Sequence, residues 1–242
     1  MAKPRLSAVL FDIDDTLYST TVFARKAREN SIAAMIRHGL RIDPARCYEE
    51  LTEVISEFSS NYEHHYEKLL SRLPAAARRG VNPSILVAAA VVAYHQTKSR
   101  ELHPYPDVIP VLKVLARRRL LLGVVTSGLA VKQAEKLIRL GVVGLLDPRA
   151  VFISEQIGIS KPNPKLYLTA CRRLGLSPQA VLYVGDDPRM DVDPPNRIGM
   201  RTARIRGGGR HDAESGATAP THDIRNFREL LAVVRGGYRI SP

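Results

Sequence analysis

Acidic side chains, hydroxyls and a lysine occur in four short segments of this 242-residue chain, each following or close to an apolar run. The first segment holds three aspartates, of which Asp12 and Asp14 lie two positions apart. The second holds hydroxyls, the third a lysine, and the fourth three more aspartates. The segments read DIDDT (12–16), TSG (126–128), GISKPNPKLY (158–167) and GDDPRMD (185–191).

These residue types suit phosphate and metal chemistry. Carboxylates packed together cannot all stay ionised without a cation, and an oxygen-only ligand set suits Mg²⁺, which also keeps water and substrate phosphate. Lys161, Thr126 and Ser127, with nearby backbone N–H groups, are suited to hold phosphate oxygens. A carboxylate can also be a covalent nucleophile. Each piece alone is common in turns and caps, so it is the combination that predicts phosphoryl transfer.

The elements that must position these residues form a predicted α/β core. Apolar runs and helical patterns alternate in 1–16 and again from 104 onward, which is typical of a doubly wound parallel sheet. Such sheets collect ligands at the carboxyl ends of their strands. We expect strands at Leu6–Phe11, 120–127, 150–154, 180–185 and 201–205, helices at Asp107–Arg119, 129–140, 163–174 and Asp223–Val234, and an exposed glycine-rich loop at 207–220.

The stretch between the first strand and the rest of the core has a helical texture. Asp43-Pro44 and Asn82-Pro83 are typical helix starts, in which an N-cap residue precedes proline at the first helical position. No good strand pattern occurs between Thr20 and about Leu102. We therefore expect a core domain of residues 1–17 and 104–242, interrupted by an inserted all-helical domain of residues 18–103.

Composition excludes several classes of protein. Hydrophobic residues make up 45% and charged residues 25% of the chain, which excludes a disordered chain, a collagen and a disulfide scaffold. The 36 Lys and Arg against 24 Asp and Glu give a formal net charge of +12. The basic residues form only short clusters, and aromatic residues are 6% with no Trp. A stacking platform for nucleic acid is thus poorly supplied, which argues against a nucleic-acid partner.

The two cysteines and the hydropathy indicate the compartment. Cys47 and Cys171 lie far apart and form neither a disulfide framework nor a zinc motif. No stretch reaches the ~20 apolar residues of a membrane helix, and the N-terminal apolar run is too short for a signal sequence. We expect a cytoplasmic protein with no membrane partner.

The four motifs together resemble those of the haloacid dehalogenase-like hydrolase superfamily. VLFDIDDT (9–16) is similar to the family's first motif, DxDxT after a hydrophobic run, and VVTSG (124–128) to its second. GISKPNPKLY carries the lysine of the third motif, and GDDPRMD matches the fourth. The resemblance covers about 1–16 and 104–235 and implies a Rossmann-like core. The helical insertion resembles the family's helical (C1) cap.

The resemblance implies a role for each matching residue. Asp12 would be the nucleophile that becomes an aspartyl-phosphate, and Asp14 would be the general acid–base. Mg²⁺ would be held by Asp12, the backbone carbonyl of Asp14, and Asp186. Supporting roles would fall to Asp187 and Asp191 behind the metal ligands, to Thr126, Ser127 and Gly128 at the phosphoryl group, and to Lys161, which would offset the charge of the phosphate and of Asp12.

Asp14 also distinguishes between branches of the superfamily. Its dehalogenases work without Mg²⁺ and generally lack an aspartate here, so Asp14 favours a phosphatase. A 2-haloacid dehalogenase, or a basic nucleic-acid-binding protein on this fold, are the alternatives. The substrate would be a small phosphorylated metabolite: a sugar phosphate, phosphoglycolate, a glyceraldehyde phosphate or a nucleoside monophosphate, the last because FDIDDTLY (11–18) also resembles the start of pyrimidine nucleotidases. Monomer and homodimer are both open.

Three positions call for separate expectations. Ser127 stands where many relatives carry Asn. Pro194-Pro195 stands where relatives continue as a helix, which predicts a late or distorted helix after the fourth motif. Tyr18 is expected to pack beside the nucleophile loop or to line its entrance.

Overall fold

The computed structural model describes residues 3–207 and 209–240. The chain divides into two compact units, one with the bounds Met1–Thr21 and His103–Pro242, the other Val22–Leu102. The domain boundaries expected from sequence, 1–17 with 104–242 and 18–103, lie close to these bounds.

The first unit is built on a six-stranded sheet in which every neighbouring pair is parallel. The central strand lies between the strands that carry the second and fourth motifs, so the chain winds outward in both directions from the middle of the sheet. This confirms the predicted α/β doubly wound class. The strands are β2 (Ala8–Phe11), β3 (Leu121–Thr126), β4 (Val151–Ile153), β5 (Val181–Gly185), β6 (Arg201–Ile205) and β7 (His222–Ile224), in the order β4-β3-β2-β5-β6-β7; β1 (Arg5–Leu6) and β8 (Arg239–Ile240) form a separate parallel pair.

Helices connect the strands of this sheet. Their starts follow local chemistry: Asn163 caps α8 (Pro164–Leu174) by accepting from the Lys165 N–H, with Pro164 at the first helical position. Gly175 ends the same helix in the left-handed conformation. The helices of the core are α5 (Val108–Arg117), α6 (Ala130–Arg139), α7 (Ser154–Ile157), α8 (Pro164–Leu174), α9 (Asp193–Arg197) and α10 (Phe227–Gly237).

The C-terminal helix expected at Asp223–Val234 is shifted. The segment His222–Ile224 is a strand paired with β6, and the helix begins at Phe227 after Asn226, whose side chain accepts from the Glu229 N–H. The sequence HDI is short and polar, so its strand character comes from pairing at the sheet edge rather than from an apolar pattern. The predicted strand Leu6–Phe11 is likewise divided at Ser7 into β1 and β2.

The second unit is helical, and no strand occurs among its residues, all of which are described. Its core includes Met35, Cys47, Leu51, Leu69 and Leu86. The helices are α1 (Thr20–Arg37), whose first two residues belong to the other unit, α2 (Pro44–Phe58), α3 (His65–Arg72) and α4 (Pro83–Glu101). The inner faces of α2 and α3 supply several of the apolar side chains of this core, as their helical spacing predicts.

Among the described residues, no helix combines the length and the apolar character needed to cross a membrane. Cys47 and Cys171 are both buried free thiols.

Candidate active site

The site lies where the central strands of the sheet end. Asp12 directly follows β2, Asp186 directly follows β5, and Thr126 is the last residue of β3. Strand β2 is paired in parallel with both neighbours. The chain turns from one side of the sheet to the other here, the position at which open α/β sheets bind ligands.

Three carboxylates crowd together at this edge. Asp12, Asp186 and Asp191 are each buried, and their ligand oxygens lie within 4.8 Å of one another. We call these three residues the acidic cluster. The Nζ atom of Lys161 reaches into it, 2.6 Å from Asp12 Oδ1 and 2.7 Å from Asp191 Oδ1. One buried cation thus serves two of three buried acids.

The electrostatics of the acidic cluster reflect this shortage of positive charge. Burial raises the pKa of Asp12 to about 6, helped by Asp191 and Asp14 and opposed by Lys161. Burial, followed by the charges of Asp191 and Asp12, raises the pKa of Asp186 to about 8. Burial acts to lower the pKa of Lys161, but the charges of Asp12 and Asp191 outweigh it and raise that pKa well above its usual value. The lysine is therefore held protonated, and Asp12 and Asp186 ionise less readily than ordinary aspartates.

The acidic cluster fits a hard divalent cation. Asp186 Oδ2 is buried and accepts no hydrogen bond from the described part of the chain. An orphaned carboxylate oxygen is costly to bury, and a cation beside it would remove that cost. The donors available are oxygens, which suits Mg²⁺ better than a softer metal.

Asp191 reaches the acidic cluster because of the backbone at Gly185. Residues Pro188–Val192 form one wide π-helical turn that carries Asp191 back over the end of β5. A Cβ atom at Gly185 would lie 2.3 Å from Asp191 Cγ, so only glycine leaves room for that carboxylate. The turn runs into α9, with Pro194 and Pro195 in its first turn, where no N–H is needed. The predicted distortion after the fourth motif is present.

Asp14 has a different environment, rich in hydrogen-bond donors. Its Oδ1 accepts from the Tyr18 hydroxyl at 2.6 Å and from the Thr20 hydroxyl at 2.7 Å. The Nζ atom of Lys136, on α6, lies 2.7 Å from both carboxylate oxygens. We call Tyr18, Thr20 and Lys136 the donor cluster. Burial acts to raise the pKa of Asp14, but the charge and hydrogen bonds of Lys136, with those of Tyr18 and Thr20, lower it below its ordinary value.

The second motif forms a turn that holds other loops together. Thr126 is buried at the strand end. Ser127 Oγ accepts from the Ser160 hydroxyl at 3.0 Å and from the Lys161 backbone N–H at 3.2 Å. The Gly128 N–H donates to Ser154 Oγ at 2.9 Å. Ser127 thus fastens the loop that carries Lys161, and the expected phosphate contacts of Thr126, Ser127 and Gly128 stay predictions.

Asp187 lies beside the acidic cluster and caps the π-helical turn. Its Oδ1 accepts from the backbone N–H groups of Arg189 and Met190. Its own N–H donates to Asp191 Oδ2 at 3.2 Å. Asp187 therefore helps to orient Asp191, and the supporting role expected for it from sequence stays a prediction.

The glycine-rich loop, expected to be exposed, is fastened to the core by two buried residues. Asp193 accepts from the backbone N–H groups of Ala217 and Thr218. Arg204 donates through Nη2 to the His211 carbonyl oxygen at 2.6 Å and through Nε to the Asp186 carbonyl oxygen at 3.3 Å. The loop is thus tied to the segment that carries Asp186. Gly208 lies outside the described residues.

Sequence reasoning missed Lys136 and Thr20, as well as the cap formed by Asp193. A lysine on an amphipathic helix is typical of a solvated face, so nothing in AVKQAEKLIR marked Lys136. Thr20 lies at the start of α1, where a hydroxyl is typical of helix capping.

Comparison with known proteins places these features in a family. A family model described as haloacid dehalogenase-like hydrolase matches residues 6–199. A glyceraldehyde 3-phosphate phosphatase of Methanopyrus kandleri is 50% identical over 235 residues, covering 95% of this chain and 97% of that protein. One of Methanocaldococcus jannaschii is 35% identical, with coverage of 95% and 97%.

A solved structure is similar over the same length. The crystal structure of a haloacid dehalogenase (HAD) phosphatase from Thermococcus onnurineus superposes with a TM-score of 0.69 at 25% identity, covering 97% of this chain and 100% of that one. Together with the four motifs at the sheet edge, these matches show that the chain belongs to the haloacid dehalogenase-like hydrolases.

Proposed function

We propose that this protein is a magnesium-dependent phosphatase that hydrolyses glyceraldehyde 3-phosphate or a closely similar small phosphomonoester. One observation carries the proposal: a buried carboxylate, Asp12, is held by Lys161 inside the acidic cluster, with Asp14 two residues away in a separate environment. These two different environments support the assignment of Asp12 as the nucleophile and Asp14 as the acid–base of a two-step phosphoryl transfer.

In the first step, a carboxylate oxygen of Asp12 attacks phosphorus and the bond from phosphorus to the ester oxygen breaks. The leaving oxygen takes a proton from Asp14, and an aspartyl-phosphate remains on Asp12. Lys161 lies 2.6 Å from Asp12 Oδ1 and balances charge at the reacting group. The pKa of Asp12 near 6 leaves its carboxylate mostly ionised at neutral pH.

In the second step, water attacks the aspartyl-phosphate, Asp14 takes the water's proton, and the bond from phosphorus to Asp12 breaks. Inorganic phosphate leaves and Asp12 is a carboxylate again. The donor cluster lowers the pKa of Asp14 and so favours the ionised form that this step needs. The first step starts from the less populated protonated form.

The ligands proposed for Mg²⁺ are Asp12, the backbone carbonyl of Asp14, and Asp186, with Asp191 held behind them. The ion would neutralise charge on the transferring phosphoryl group. The unpartnered Asp186 Oδ2 and the raised pKa values of Asp12 and Asp186 support this assignment.

The substrate is proposed from the relatives. The Methanopyrus and Methanocaldococcus proteins are both named glyceraldehyde 3-phosphate phosphatase and align with nearly the whole chain. We infer the same substrate class here, a free phosphorylated metabolite, and we propose that the protein acts on it in the cytoplasm.

Phosphate release from a panel of phosphomonoesters tests this function. The panel contains glyceraldehyde 3-phosphate, glycerol 3-phosphate, phosphoglycolate and phosphoserine, each with Mg²⁺ and with EDTA. We expect the highest kcat/KM for glyceraldehyde 3-phosphate, loss of turnover in EDTA, and no detectable turnover by Asp12→Asn. Asp223→Asn, an exposed aspartate at the sheet edge, is the matched control.

Two results would overturn the proposal. Turnover by Asp12→Asn at the wild-type rate would remove the nucleophile from the mechanism. Chloride release from 2-chloropropionate in EDTA, with no phosphate release from the panel, would make the protein a dehalogenase.

A further inference from the structure

The carboxylate of Asp14 is held unevenly by its neighbours. Oδ1 accepts from three donors at 2.6 to 2.7 Å: Tyr18, Thr20 and Lys136. Oδ2 has one short contact, to Lys136 at 2.7 Å, and one long contact of 3.5 Å to Gln133 Nε2. A carboxylate oxygen offers about two lone-pair sites, so Oδ1 is fully engaged while Oδ2 keeps room for another partner.

Lys136 is the residue that decides this orientation. Tyr18 and Thr20 both donate to Oδ1, and two hydrogen bonds to one oxygen leave the carboxylate free to turn about that atom. The ammonium of Lys136 lies at the same distance from both oxygens, so turning the carboxylate about Oδ1 would lengthen its contact with Oδ2. Its side chain is 18% exposed and that of Asp14 is 32% exposed, so the ion pair is partly shielded from water.

Hydrogen bonding and close packing at the start of α6 hold the helix that carries Lys136 in place. It lies on α6, one turn after Gln133, whose Nε2 donates to the Ser127 carbonyl oxygen at 2.8 Å. Gly128 makes room for that amide, because a Cβ there would lie 2.5 Å from Gln133 Nε2. The beginning of α6 is thereby anchored to the end of β3. The helix presents Lys136 to Asp14 from a fixed element rather than from a loop.

We propose that Lys136 is a positioning residue for the acid–base: it holds Asp14 with Oδ1 anchored and Oδ2 open to the ester oxygen and to water. This inference rests on the proposed phosphatase function. Lys136 and Lys161 then have separate tasks, since Lys161 contacts Asp12 and Asp191 whereas Lys136 contacts Asp14. Loss of Lys136 misorients the acid–base without touching the nucleophile.

A double-mutant cycle on Lys136 and Asp14 tests the proposal. The proteins are wild type, Lys136→Met, Asp14→Asn and the double variant, with Lys113→Met, an exposed lysine on α5, as matched control. Turnover of glyceraldehyde 3-phosphate and of p-nitrophenyl phosphate is measured with Mg²⁺. A misplaced catalytic group costs up to about 100-fold in rate, so we expect Lys136→Met to lower kcat about 10- to 100-fold with KM within about twofold.

The decisive comparison is the effect of Lys136→Met in the Asp14→Asn background. A residue that acts through Asp14 has nothing left to position there, so we expect a further change in kcat of less than about twofold. Equal losses in both backgrounds would overturn the proposal, as would a rise in KM in both backgrounds, which would make Lys136 a substrate-binding residue. Lys136→Arg, which keeps the charge, should restore part of kcat.

A replacement variant keeps the test possible if Lys136→Met does not fold. A measurement of thermal stability keeps it independent of the proposed function. If Lys136→Met does not fold, Lys136→Gln replaces it, since its side chain is one atom shorter, uncharged, and still has an amide group that can donate. Thermal unfolding of the same four proteins measures the coupling without turnover, and additive changes in Tm would mean that the Lys136–Asp14 contact does not form in solution. A silent wild type in every phosphomonoester assay would instead refute the proposed function.

Discussion

The two aspartates that open the first motif lie two residues apart and have opposite surroundings. Asp12 is buried among acids with one shared lysine, and its pKa is raised to about 6 by burial first and by its acidic neighbours next. Asp14 is half-buried among donors, and although burial acts to raise its pKa, Lys136, Tyr18 and Thr20 lower it below the usual value. The donor cluster supplies two hydroxyls and an ammonium to Asp14, whereas the lysine that contacts Asp12 is shared with Asp191, which also accepts from the Tyr183 hydroxyl at 3.3 Å.

Two aspartates within three positions of sequence can thus be placed in environments that suit the two different roles proposed for them. When neighbouring environments push the pKa values of two acids apart, the two groups are set for different chemical tasks. The crowded side suits a group that will carry a phosphoryl group beside a cation. The donor-rich side suits a group that must be oriented and kept ionised as a base. Substitutions of Asp14, Lys161, Asp186 and Tyr18 each alter one of these two environments.

Asp14→Asn removes the carboxylate that the donor cluster holds, and it should have the largest effect. Acid–base groups contribute about 10²- to 10⁴-fold, so we expect kcat for glyceraldehyde 3-phosphate to fall by that factor. A p-nitrophenolate leaving group does not need protonation, so this variant should release about one equivalent of p-nitrophenol per enzyme in a burst and then turn over slowly. Rapid-mixing absorbance measures the burst, and steady turnover at the wild-type rate would contradict the role of Asp14.

Lys161→Met removes the positive charge that contacts the acidic cluster. Its side chain is 5% exposed, and it is the cation shared by Asp12 and Asp191. Removing one partner of a buried ion pair costs about 3–5 kcal/mol, and loss of one electrostatic stabiliser costs about 10²- to 10³-fold in kcat. We expect both effects, measured by chemical unfolding and phosphate release. Lys165→Met, on the exposed first turn of α8, should change neither, and wild-type activity of Lys161→Met would contradict the assignment.

Sequence reasoning predicted the place of those site residues that follow strands with a strong apolar pattern. Asp12 and Asp186 end strands of continuous apolar residues, AVLF and VLYVG, so their place at one sheet edge followed from the parallel topology that the strand and helix alternation predicts. The fold class followed from the same alternation of strands and helices, and the family followed from the resemblance of the four motifs. The roles of these residues are not visible in such patterns and stay predictions.

The parts that sequence reasoning missed depend on tertiary placement. Lys136 meets Asp14 across 122 positions of chain, and its local pattern is that of any solvated helix face. The segment His222–Ile224 is a strand because β6 offers an edge to pair with, although its residues are polar. Asp193 looks like part of the fourth motif, yet it caps the backbone at Ala217 and Thr218. Such contacts are set by the packed core rather than by neighbours in sequence.

The acidic side also predicts a pH dependence of stability in EDTA. The ordinary pKa of both acids is 3.8, and the folded protein raises it to about 6 at Asp12 and about 8 at Asp186. Stability from these groups is therefore fully present below about pH 4 and is lost as pH rises through 6 and then 8. Asp14, with a lowered pKa, stays ionised throughout and adds no slope above pH 5.

Thermal unfolding in EDTA between pH 5 and 8.5 measures this slope. We expect Tm to fall with rising pH in the wild type and to fall less in Asp186→Asn, which cannot ionise at that position. Mg²⁺ binds ionised carboxylates, so the rise in Tm that it causes should grow with pH. An equal slope in Asp186→Asn would show that the acidic cluster is not its source.

Tyr18→Phe removes the hydrogen bond from the Tyr18 hydroxyl to Asp14, one of several that the donor cluster makes, and should have the smallest effect. The hydroxyl lies 2.6 Å from Asp14 Oδ1. Because Thr20 and Lys136 also donate to this oxygen, two of its three hydrogen bonds remain in the variant. A hydrogen bond of this kind contributes about 1 kcal/mol, which corresponds to a fall in Tm of about 2–4 °C.

The catalytic effect of Tyr18→Phe separates anchoring from packing. Loss of a donor raises the pKa of Asp14 toward its ordinary value, so the acid limb of the kcat profile should move to higher pH, with kcat reduced less than tenfold, about 1.4 kcal/mol, at neutral pH. Tyr48→Phe, half-exposed on α2, is the matched control. A lower Tm with an unmoved acid limb would assign Tyr18 to packing alone. In the Lys136→Met background the same change should cost more, because Thr20 would then be the last member of the donor cluster to hold Oδ1.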